Sequence, residues 1–221
     1  MTIAASRRSS EDPLTAAKRN APDLFPLFFK LSGRKCLVVG AGSVAEGKIQ
    51  GLLVSGARVR VVAPQANDRV ERWAREKKIS LRRGLYRESD LRGAFLVIAA
   101  TSSPQLHARI FRQARRRGVL CNAVDDPAHC DFYYPAVVRR GALQIAVSTS
   151  GLSPALAQQL RKRLEREFGP EYADRLKRLG EARDRIRGKI SKSEARREIL
   201  HRLAARAARS SRNRTSAKQQ A

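Results

Sequence analysis

The sequence predicts an α/β protein in which a parallel-sheet domain precedes a smaller domain of strands and helices. Short β-branched runs alternate with longer helical patterns between about Pro26 and Asn122, as is typical of βαβ units around a parallel sheet. A glycine-rich turn directly follows the first of these runs. Beyond Ser153, apolar residues recur only at helical spacing. The chain is therefore expected to hold two domains.

The first domain is predicted to contain five strands joined by helices. Gly56 suits a left-handed cap at the end of the first helix, and Ser103-Pro104 is a typical start for the third. The connections are long enough for the right-handed crossovers that parallel strands require. The predicted strands are residues 35–40, 58–63, 79–82, 95–99 and 119–122, and the predicted helices are residues 43–55, 67–77 and 103–117.

The second domain is predicted to contain a strand pair followed by three helices. The strands, residues 136–139 and 142–148, are separated by Arg140-Gly141, which favours a hairpin. The apolar stripes of the helices are narrow, so a second copy of the chain is the expected partner for them. The predicted boundaries are a disordered leader at 1–22, the parallel-sheet domain at 23–135, a dimerisation and helical domain at 136–205, and a basic flexible tail at 206–221.

The composition excludes several classes of protein. The chain has 221 residues, of which 42% are hydrophobic, and a formal net charge of +26. This apolar share excludes a wholly disordered basic chain, and no apolar run reaches the ~18 residues that a membrane span needs. The N-terminus lacks the apolar stretch of a secretory signal, so a cytoplasmic location is expected. Three cysteines without CxxC spacing argue against a disulfide framework and a structural zinc site.

Few of the cysteines and histidines invite a functional role. Cys36 and Cys121 lie in apolar runs and are expected to be buried, whereas His107 is expected on the surface of a helix. His129 and Cys130 are adjacent, and adjacent side chains rarely ligate one ion together, so no protein metal site is predicted.

The segment Gly40-Ala41-Gly42-Ser43-Val44-Ala45 matches the Gly-x-Gly-x-x-Gly/Ala pattern of Rossmann-like dinucleotide-binding domains. It follows a predicted strand and opens a predicted helix, which is the context that gives the pattern meaning. Gly40 allows the tight turn, Gly42 leaves room for a pyrophosphate, and Ala45 permits close helix packing. The amides of the helix then face the phosphates. Such turns also occur without a ligand, but this context favours nucleotide binding.

The acid that usually holds the ribose hydroxyls is missing after the second strand, where the sequence reads Val62-Ala63-Pro64-Gln65. The backbone at Pro64 and Gln65 is expected to serve instead. Arg58 and Arg60 lie just upstream, so the residues alone leave NAD and NADP both open. Thr101, with Ser102 and Ser103, follows the fourth strand, where its hydroxyl suits either a phosphate contact or a helix cap.

Asp125 follows the fifth predicted strand, at the edge of the sheet where this fold binds ligands. A carboxylate at that edge faces the crevice of a nicotinamide and can act as the general base for a proton lost alongside a hydride. The alternative is a structural turn before Pro127, which suits Asp126 better than Asp125.

Six segments of the sequence together resemble a known protein family. FPLFFKL, VVGAGSVAEGKIQGLLVSGARVRVVAP, LVIAATSS, LCNAVDDP, FYYPAVVRRGALQIAVSTSG and LSPALAQQLRKRLE occur in order between about residues 24 and 189. In sequence and spacing they resemble the precorrin-2 dehydrogenase/sirohydrochlorin ferrochelatase family, the N-terminal module of siroheme synthases. Their combination is far more specific than the glycine pattern alone.

The resemblance implies an NAD-dependent enzyme that oxidises precorrin-2 to sirohydrochlorin and, in many members, inserts ferrous iron to give siroheme. It places the catalytic aspartate of the family on Asp125, and NAD contacts on Ser43, Val44, Pro64 and Gln65. The family also lacks the ribose acid, which favours NAD, and its members are homodimers. Thr149 falls where some members carry a serine that influences metal insertion. Some short members perform only the dehydrogenation.

The positive charge fits a tetrapyrrole substrate that carries many carboxylates, because a positive surface raises the local concentration of such a substrate. Arg139 and Arg140 are the predicted substrate contacts, with a solvated hairpin turn as the alternative. A different class, an NAD-sensing basic regulatory or nucleic-acid-binding protein, is favoured only by the basic tail. The aromatic content of 5% and the lack of a recognisable reading helix argue against nucleic acid as a partner.

Overall fold

The computed structural model describes residues 24–209. The chain divides into two compact units, Met1–Tyr133 and Tyr134–Ala221. The predicted leader at 1–22 and the tail beyond Arg209 lie outside the described residues. None of the helices in the described part is both long enough and apolar enough to cross a membrane.

The first unit is built on a five-stranded parallel sheet with the order β3-β2-β1-β4-β5. This architecture confirms the predicted Rossmann-like α/β class. The order reverses between β1 and β4, and it is outside the carboxyl ends of strands at such a switch point that this fold binds ligands. The strands are β1 (Lys35–Val39), β2 (Arg58–Ala63), β3 (Ser80–Arg83), β4 (Leu96–Ala99) and β5 (Leu120–Ala123).

Three helices cover the two faces of this sheet. Helices α1 (Ser43–Val54) and α2 (Asp68–Arg75) pack on one face, against β1, β2 and β3, and α3 (Pro104–Arg116) packs on the other, against β4 and β5. Alternate strand residues face opposite sides. Cys36, Val38 and Ile98 therefore join the α1 side of the core, and Leu37 and Val97 join the α3 side.

Side-chain caps fix the starts of two helices. The Asn67 side chain accepts a hydrogen bond from Val70 N (3.0 Å), and the Ser103 hydroxyl accepts one from Leu106 N (3.2 Å), with Pro104 at the first helical position. Helix α2 is shorter than predicted because a left-handed turn at Lys77, with a φ of 56°, ends it before β3.

The connection from β3 to β4 contains only a short 3₁₀ turn at Glu88–Leu91. Asp90 is buried in this turn, where its carboxylate accepts hydrogen bonds from the backbone of Arg87 and from the guanidinium of Arg82. The α3 side of β2 and β3 is therefore covered by a loop rather than by a helix.

The second unit contains the predicted hairpin and three helices. Strands β6 (Ala136–Arg140) and β7 (Leu143–Val147) pair antiparallel across a two-residue turn at Gly141 and Ala142, which confirms the strand pair. Helices α4 and α5 pack on the hairpin, and α5 also packs on α6. The final helix continues to Arg209, past the predicted start of the flexible tail at Arg206. The helices are α4 (Pro154–Glu167), α5 (Glu171–Lys189) and α6 (Ser193–Arg209).

Candidate active site

The turn after β1 admits only glycine at position 40. Gly40 has a φ of 109°, and a Cβ atom there would lie 2.1 Å from the carbonyl oxygen of Ala100, which follows β4. The backbone of Gly40 donates a hydrogen bond to Val62 O (2.9 Å), and Ala100 donates one to Val39 O (2.8 Å). The turn is thus fixed where β1, β2 and β4 end side by side.

Gly42 precedes α1 and leaves an open space. It occupies the N-cap position with extended backbone, and no atom lies within 4 Å of the place where its Cβ would stand. Ser43 and Val44 are exposed, whereas Ala45 is fully buried against the sheet. The first amides of α1 therefore adjoin a space bare of side chains, which is the arrangement that receives an anionic group at a helix N-terminus.

The loop after β2 is tied to this turn. Asn67 donates its backbone amide to Ala41 O (3.1 Å) and its side-chain amide to the Glu46 carboxylate (3.0 Å). Pro64 and Gln65 stand exposed between β2 and Asn67, and no acid lies between Val62 and Asn67. A ribose at this position has backbone groups rather than a carboxylate to bind.

Arg58 is the first residue of β2 and Arg60 is the third, so both precede the carboxyl end of the strand. Arg58 is five residues before Ala63, or roughly 16 Å away along a strand. This distance removes the support that Arg58 gives to NADP.

Thr101 supplies an unpaired polar atom at the same edge. Its hydroxyl oxygen is buried and has no hydrogen-bond partner among the described residues, whereas the nearby Ser103 hydroxyl caps α3. Buried hydroxyls are normally bonded. The unpaired Thr101 hydroxyl and the empty space at Gly42 both fit the polar outline of a bound dinucleotide.

Asp125 stands exposed just beyond β5 in a left-handed conformation, with a φ of 59°. The preceding residue, Val124, donates its backbone amide to Ala99 O (2.9 Å). This bond places Asp125 beyond the ends of β4 and β5, at the edge where the Gly40 turn also lies.

The Asp126 side chain does not form the turn before Pro127 that was the structural alternative for this segment. It precedes a short 3₁₀ turn without a side-chain cap, and its carboxylate instead lies 2.7 Å from His129 Nδ1 and 3.5 Å from His107 Nδ1. The imidazoles attract this carboxylate away from the backbone amides that a turn would offer it.

His107 is 5% exposed, so its predicted surface position is wrong. It shares the inner face of α3 with Ile110 and Ala114, at spacings of three and seven residues. This helical spacing was visible in the sequence and could have revealed the burial. Its Nε2 atom has no partner among the described residues.

Lys48 is a charged residue that the sequence reasoning missed. It lies on α1 between Ala45 and Leu52, both of which are buried, so it occupies a position of the helix face that meets the core. Burial lowers the pKa of Lys48, and the negative charge of Asp125 partly offsets this effect. A lysine at an apolar position of the helical repeat was the available signal.

The thiol of Cys130 closes the loop that carries Asp125. It donates to Ala123 O (3.1 Å) and lies 3.3 Å from Asp126 O, and burial raises its pKa, so it stays protonated. Cys36 and Cys121 are buried, as predicted, and burial raises their pKa values to about 11 and about 12. Within residues 24–209, no group of three or more His, Cys, Asp or Glu side chains is placed to hold a metal ion.

The remaining predicted site residues lie in the second unit. Arg139 is exposed on β6, whereas the Arg140 guanidinium donates to Phe168 O (2.8 Å) and Glu165 O (3.1 Å) at the end of α4. Arg140 thus caps a helix instead of pointing into solvent from a hairpin turn. The Thr149 hydroxyl accepts a hydrogen bond from Ser153 N (3.2 Å), just before α4.

Family models match most of the described chain. A model described as "Putative NAD(P)-binding" matches residues 27–136, and one described as "Sirohaem biosynthesis protein central" matches residues 140–167. The two matches follow each other directly in the chain.

Relatives at about 40% identity include two siroheme synthases. The protein from Neisseria meningitidis is 42% identical over 175 residues, which is 79% of this chain and 36% of the relative. The protein from Nitrosococcus oceani is 39% identical over 165 residues, or 75% of this chain and 34% of the relative. The chain thus spans about a third of the length of these relatives.

A solved structure, "SirC, precorrin-2 dehydrogenase", matches with a TM-score of 0.70 and 26% identity, covering 81% of this chain and 89% of that one. It matches across both units. From the glycine turn, the exposed aspartate and these matches together, the chain belongs to the precorrin-2 dehydrogenase/sirohydrochlorin ferrochelatase family, the module found in siroheme synthases.

Proposed function

We propose that this protein oxidises precorrin-2 to sirohydrochlorin with NAD as the oxidant, and that Asp125 is the general base. One observation carries the proposal: an exposed carboxylate stands at the sheet edge that also holds an open, glycine-lined helix N-terminus. Hydride transfer needs an acceptor on one side and, for the accompanying proton, a base on the other. These two requirements meet at this edge.

NAD has a complete set of contacts at this edge. Gly40 and Gly42 leave room for the pyrophosphate, the amides of Ser43 and Val44 bind it, and the backbone at Pro64 and Gln65 holds the ribose. The unpaired hydroxyl of Thr101 gains a partner from the cofactor. NAD supplies the acceptor for the hydride, and its reduction to NADH leaves one proton that Asp125 takes from the macrocycle.

The loop around Asp125 is held in place before any ligand arrives. The bonds of Asp126 to His129, of Cys130 to Ala123 and of the Asn122 side chain to Phe132 O (2.8 Å) fix both sides of the aspartate. A base held in position needs no rearrangement when the substrate binds. Lys48 adds a positive charge beside it.

Insertion of ferrous iron is the second step that we propose. The ring loses two pyrrole protons as Fe²⁺ enters, and the same carboxylate is the acceptor at the site. Iron is a substrate here, delivered from solution, because the described residues offer no ligand cluster to store it.

Dehydrogenation without iron insertion is the second candidate. It is favoured by the match to SirC, since that structure is named only as a dehydrogenase and 89% of it is covered. The siroheme synthases, by contrast, extend well beyond this chain.

The second unit is proposed to bind substrate carboxylates and to form a homodimer in the cytoplasm. Arg139, which is exposed on β6, and Thr149, which lies just before α4, are the proposed substrate contacts, and Arg140 contributes by holding the hairpin against α4. Exposed apolar side chains in this unit support dimerisation: Leu152 and Leu156 are 65% and 51% exposed. Leu156→Glu is expected to yield a monomer in sedimentation, whereas Gln159→Glu on the same helix is not.

The test of the activity uses the purified chain with precorrin-2 and NAD, followed by ferrous iron, with the two absorbance changes recorded separately. Asp125→Asn and Asp125→Ala are expected to abolish NADH formation while leaving NAD affinity near that of the wild type. Asp184→Ala, an exposed acid on α5, is the control and keeps full activity. Turnover by the Asp125 variants refutes the role of Asp125, and an unchanged spectrum after iron leaves only the dehydrogenase.

A further inference from the structure

A second pocket lies at the edge of the sheet opposite to the candidate active site. Its volume is about 590 Å³, within the usual range for small-molecule sites. The first residues of three neighbouring strands form it, including Lys35, Arg58 and Ser80. The pocket is therefore built on the rigid part of the first unit.

Six cationic side chains line this pocket. One carboxylate, that of Asp90, also reaches it, but that carboxylate is already paired with Arg82. Lys78 pairs with Glu76 at 2.7 Å. For the other cations, no acid among residues 24–209 lies within ion-pairing distance. The six are Lys35, Arg58, Arg60, Lys77, Lys78 and Arg92.

The fold explains why the pocket is open. A helix normally follows each strand of such a sheet, but the connection from β3 to β4 has only a 3₁₀ turn. Leu91 and Tyr86 from that connection cover Val62, near the end of β2. Arg58 and Arg60 share a face with Val62, because alternate strand residues point the same way, yet they remain exposed.

The floor of the pocket is apolar. Leu37 is buried and lines it on the face of the sheet that also carries Lys35, Arg58 and Arg60. An apolar floor beside the five cations that lack an ion-pair partner among residues 24–209 strengthens the attraction for an anion, since a low-polarity surface screens charge less than water does.

We propose that this amino-edge pocket binds a small molecule with several negative charges, either a phosphate chain or a polycarboxylate. Arginine guanidinium groups bind both types through paired hydrogen bonds. A nucleic acid fits less well, because no aromatic side chain among residues 24–209 lines the pocket for base stacking.

A smaller basic cleft, of about 360 Å³, provides a comparison within the molecule. It is lined by Arg183, Arg187, Arg196 and Arg197 on α5 and α6 of the second unit. All of these arginines stand on helices, and the cleft lacks the floor of strand residues that the amino-edge pocket has. Variants of this cleft therefore serve as controls for a general effect of positive charge.

The test is isothermal titration of the full-length protein with tripolyphosphate and with citrate, at constant ionic strength. One saturable site per chain is expected, and Arg58→Gln/Arg60→Gln is expected to weaken it about tenfold or more. Two control pairs remove the same charge elsewhere, Arg72→Gln/Arg75→Gln on α2 and Arg196→Gln/Arg197→Gln on α6, and are expected to change affinity less than about twofold. Tighter binding of tripolyphosphate assigns a phosphate ligand, and tighter binding of citrate assigns a carboxylate.

Lys77→Gly separates binding from folding. Glycine suits the φ of 56° at this position, so the variant is expected to fold at least as stably as the wild type while binding the anion more weakly. The proposal is overturned if the pocket pair and the control pairs lower the affinity for the anion equally, or if no saturable binding is found. It is also overturned if a thymidine oligonucleotide binds more tightly than either anion and the Arg58/Arg60 substitutions weaken that binding. Binding of the anion at the glycine turn is distinguished from binding in the amino-edge pocket in two ways. NAD competes with the anion at the glycine turn, and the Arg58/Arg60 substitutions do not change the affinity there.

Discussion

At the carboxyl edge of the parallel sheet β2, β4 and β5 end in alanine and Gly40 directly follows β1, whereas at the opposite edge β1 and β2 begin with Lys35 and Arg58. Small residues let the backbone itself approach a flat ligand, and the exposed carboxylate of Asp125 can do acid–base chemistry. Long cations line a pocket that attracts anions, and the carboxylate that reaches this pocket, Asp90, is already paired with Arg82. One sheet thus offers two ligand environments, one suited to a reaction and the other to binding alone.

The largest expected effect concerns the backbone of the carboxyl edge. Gly40→Ala places a methyl group 2.1 Å from Ala100 O at a positive φ, and is expected to lower the free energy of unfolding by about 3 kcal/mol or more. Gly47→Ala, in the exposed middle of α1 with no atom near its Cβ position, is expected to raise it by about 0.5–1 kcal/mol. Urea denaturation of both variants measures the difference. A stable Gly40→Ala protein contradicts the close approach of the two strand ends.

The next largest effect is on the affinity for the cofactor and not on the stability of the fold. Gly42→Leu fills the open space before α1 and is expected to weaken NAD about tenfold or more, with stability changed by no more than about 1 kcal/mol. Titration with NAD and urea denaturation separate these two quantities. If the affinity for NAD is unaffected, this space is not the pyrophosphate site.

The third effect tests how the base is held. Asp126→Asn removes a charged partner from His129, and the coupling in a double-mutant cycle with His129→Gln is expected to be about 1 kcal/mol in stability. The same variant is expected to reduce kcat for NADH formation while NAD affinity is retained. If the stability effects of the two substitutions are strictly additive and kcat is unchanged, the contact between Asp126 and His129 does not hold the loop in place.

The smallest effect is the pH dependence of Lys48. Burial lowers the pKa of Lys48 from its usual 10.5, so the penalty for its charge is fully present below the folded-state pKa and fades as the pH rises toward 10.5. Wild type is therefore expected to gain stability relative to Lys48→Met between pH 7 and pH 10. Lys48→Arg, which stays charged over this range, shows no such gain. If the difference in stability between the wild type and Lys48→Met is the same at pH 7 and pH 10, the burial of Lys48 is contradicted.

Much of the sheet domain was predictable because its strands are continuous apolar runs and its turns carry glycine or capping residues. The predicted bounds for the strand at residues 58–63 match β2, and those for the other strands differ from the observed bounds by one residue at one or both ends. The placement of Asp125 after β5 followed from the same periodicity. These features depend on local sequence, which a single chain displays directly.

The parts that were missed depend on contacts between distant segments. The Asp126 carboxylate turns to His129 and His107, one of which comes from α3, so its partner is not visible in the NAVDDP segment. Arg140 was predicted from its charge, but its guanidinium binds carbonyls 25 and 28 residues away. The amino-edge pocket exists because no crossover helix connects β3 to β4. In the sequence this connection looks like an ordinary loop.

The left-handed backbone at Asp125 limits what evolution or an experimenter can place there. Branched and bulky side chains collide with their own peptide groups at a φ of 59°, while aspartate, asparagine and glycine tolerate it. Of these three, only aspartate carries an ionisable carboxylate that can serve as a base. The conformation of one peptide unit therefore narrows the position to a single working residue, and it makes asparagine the substitution that silences the chemistry without disturbing the chain.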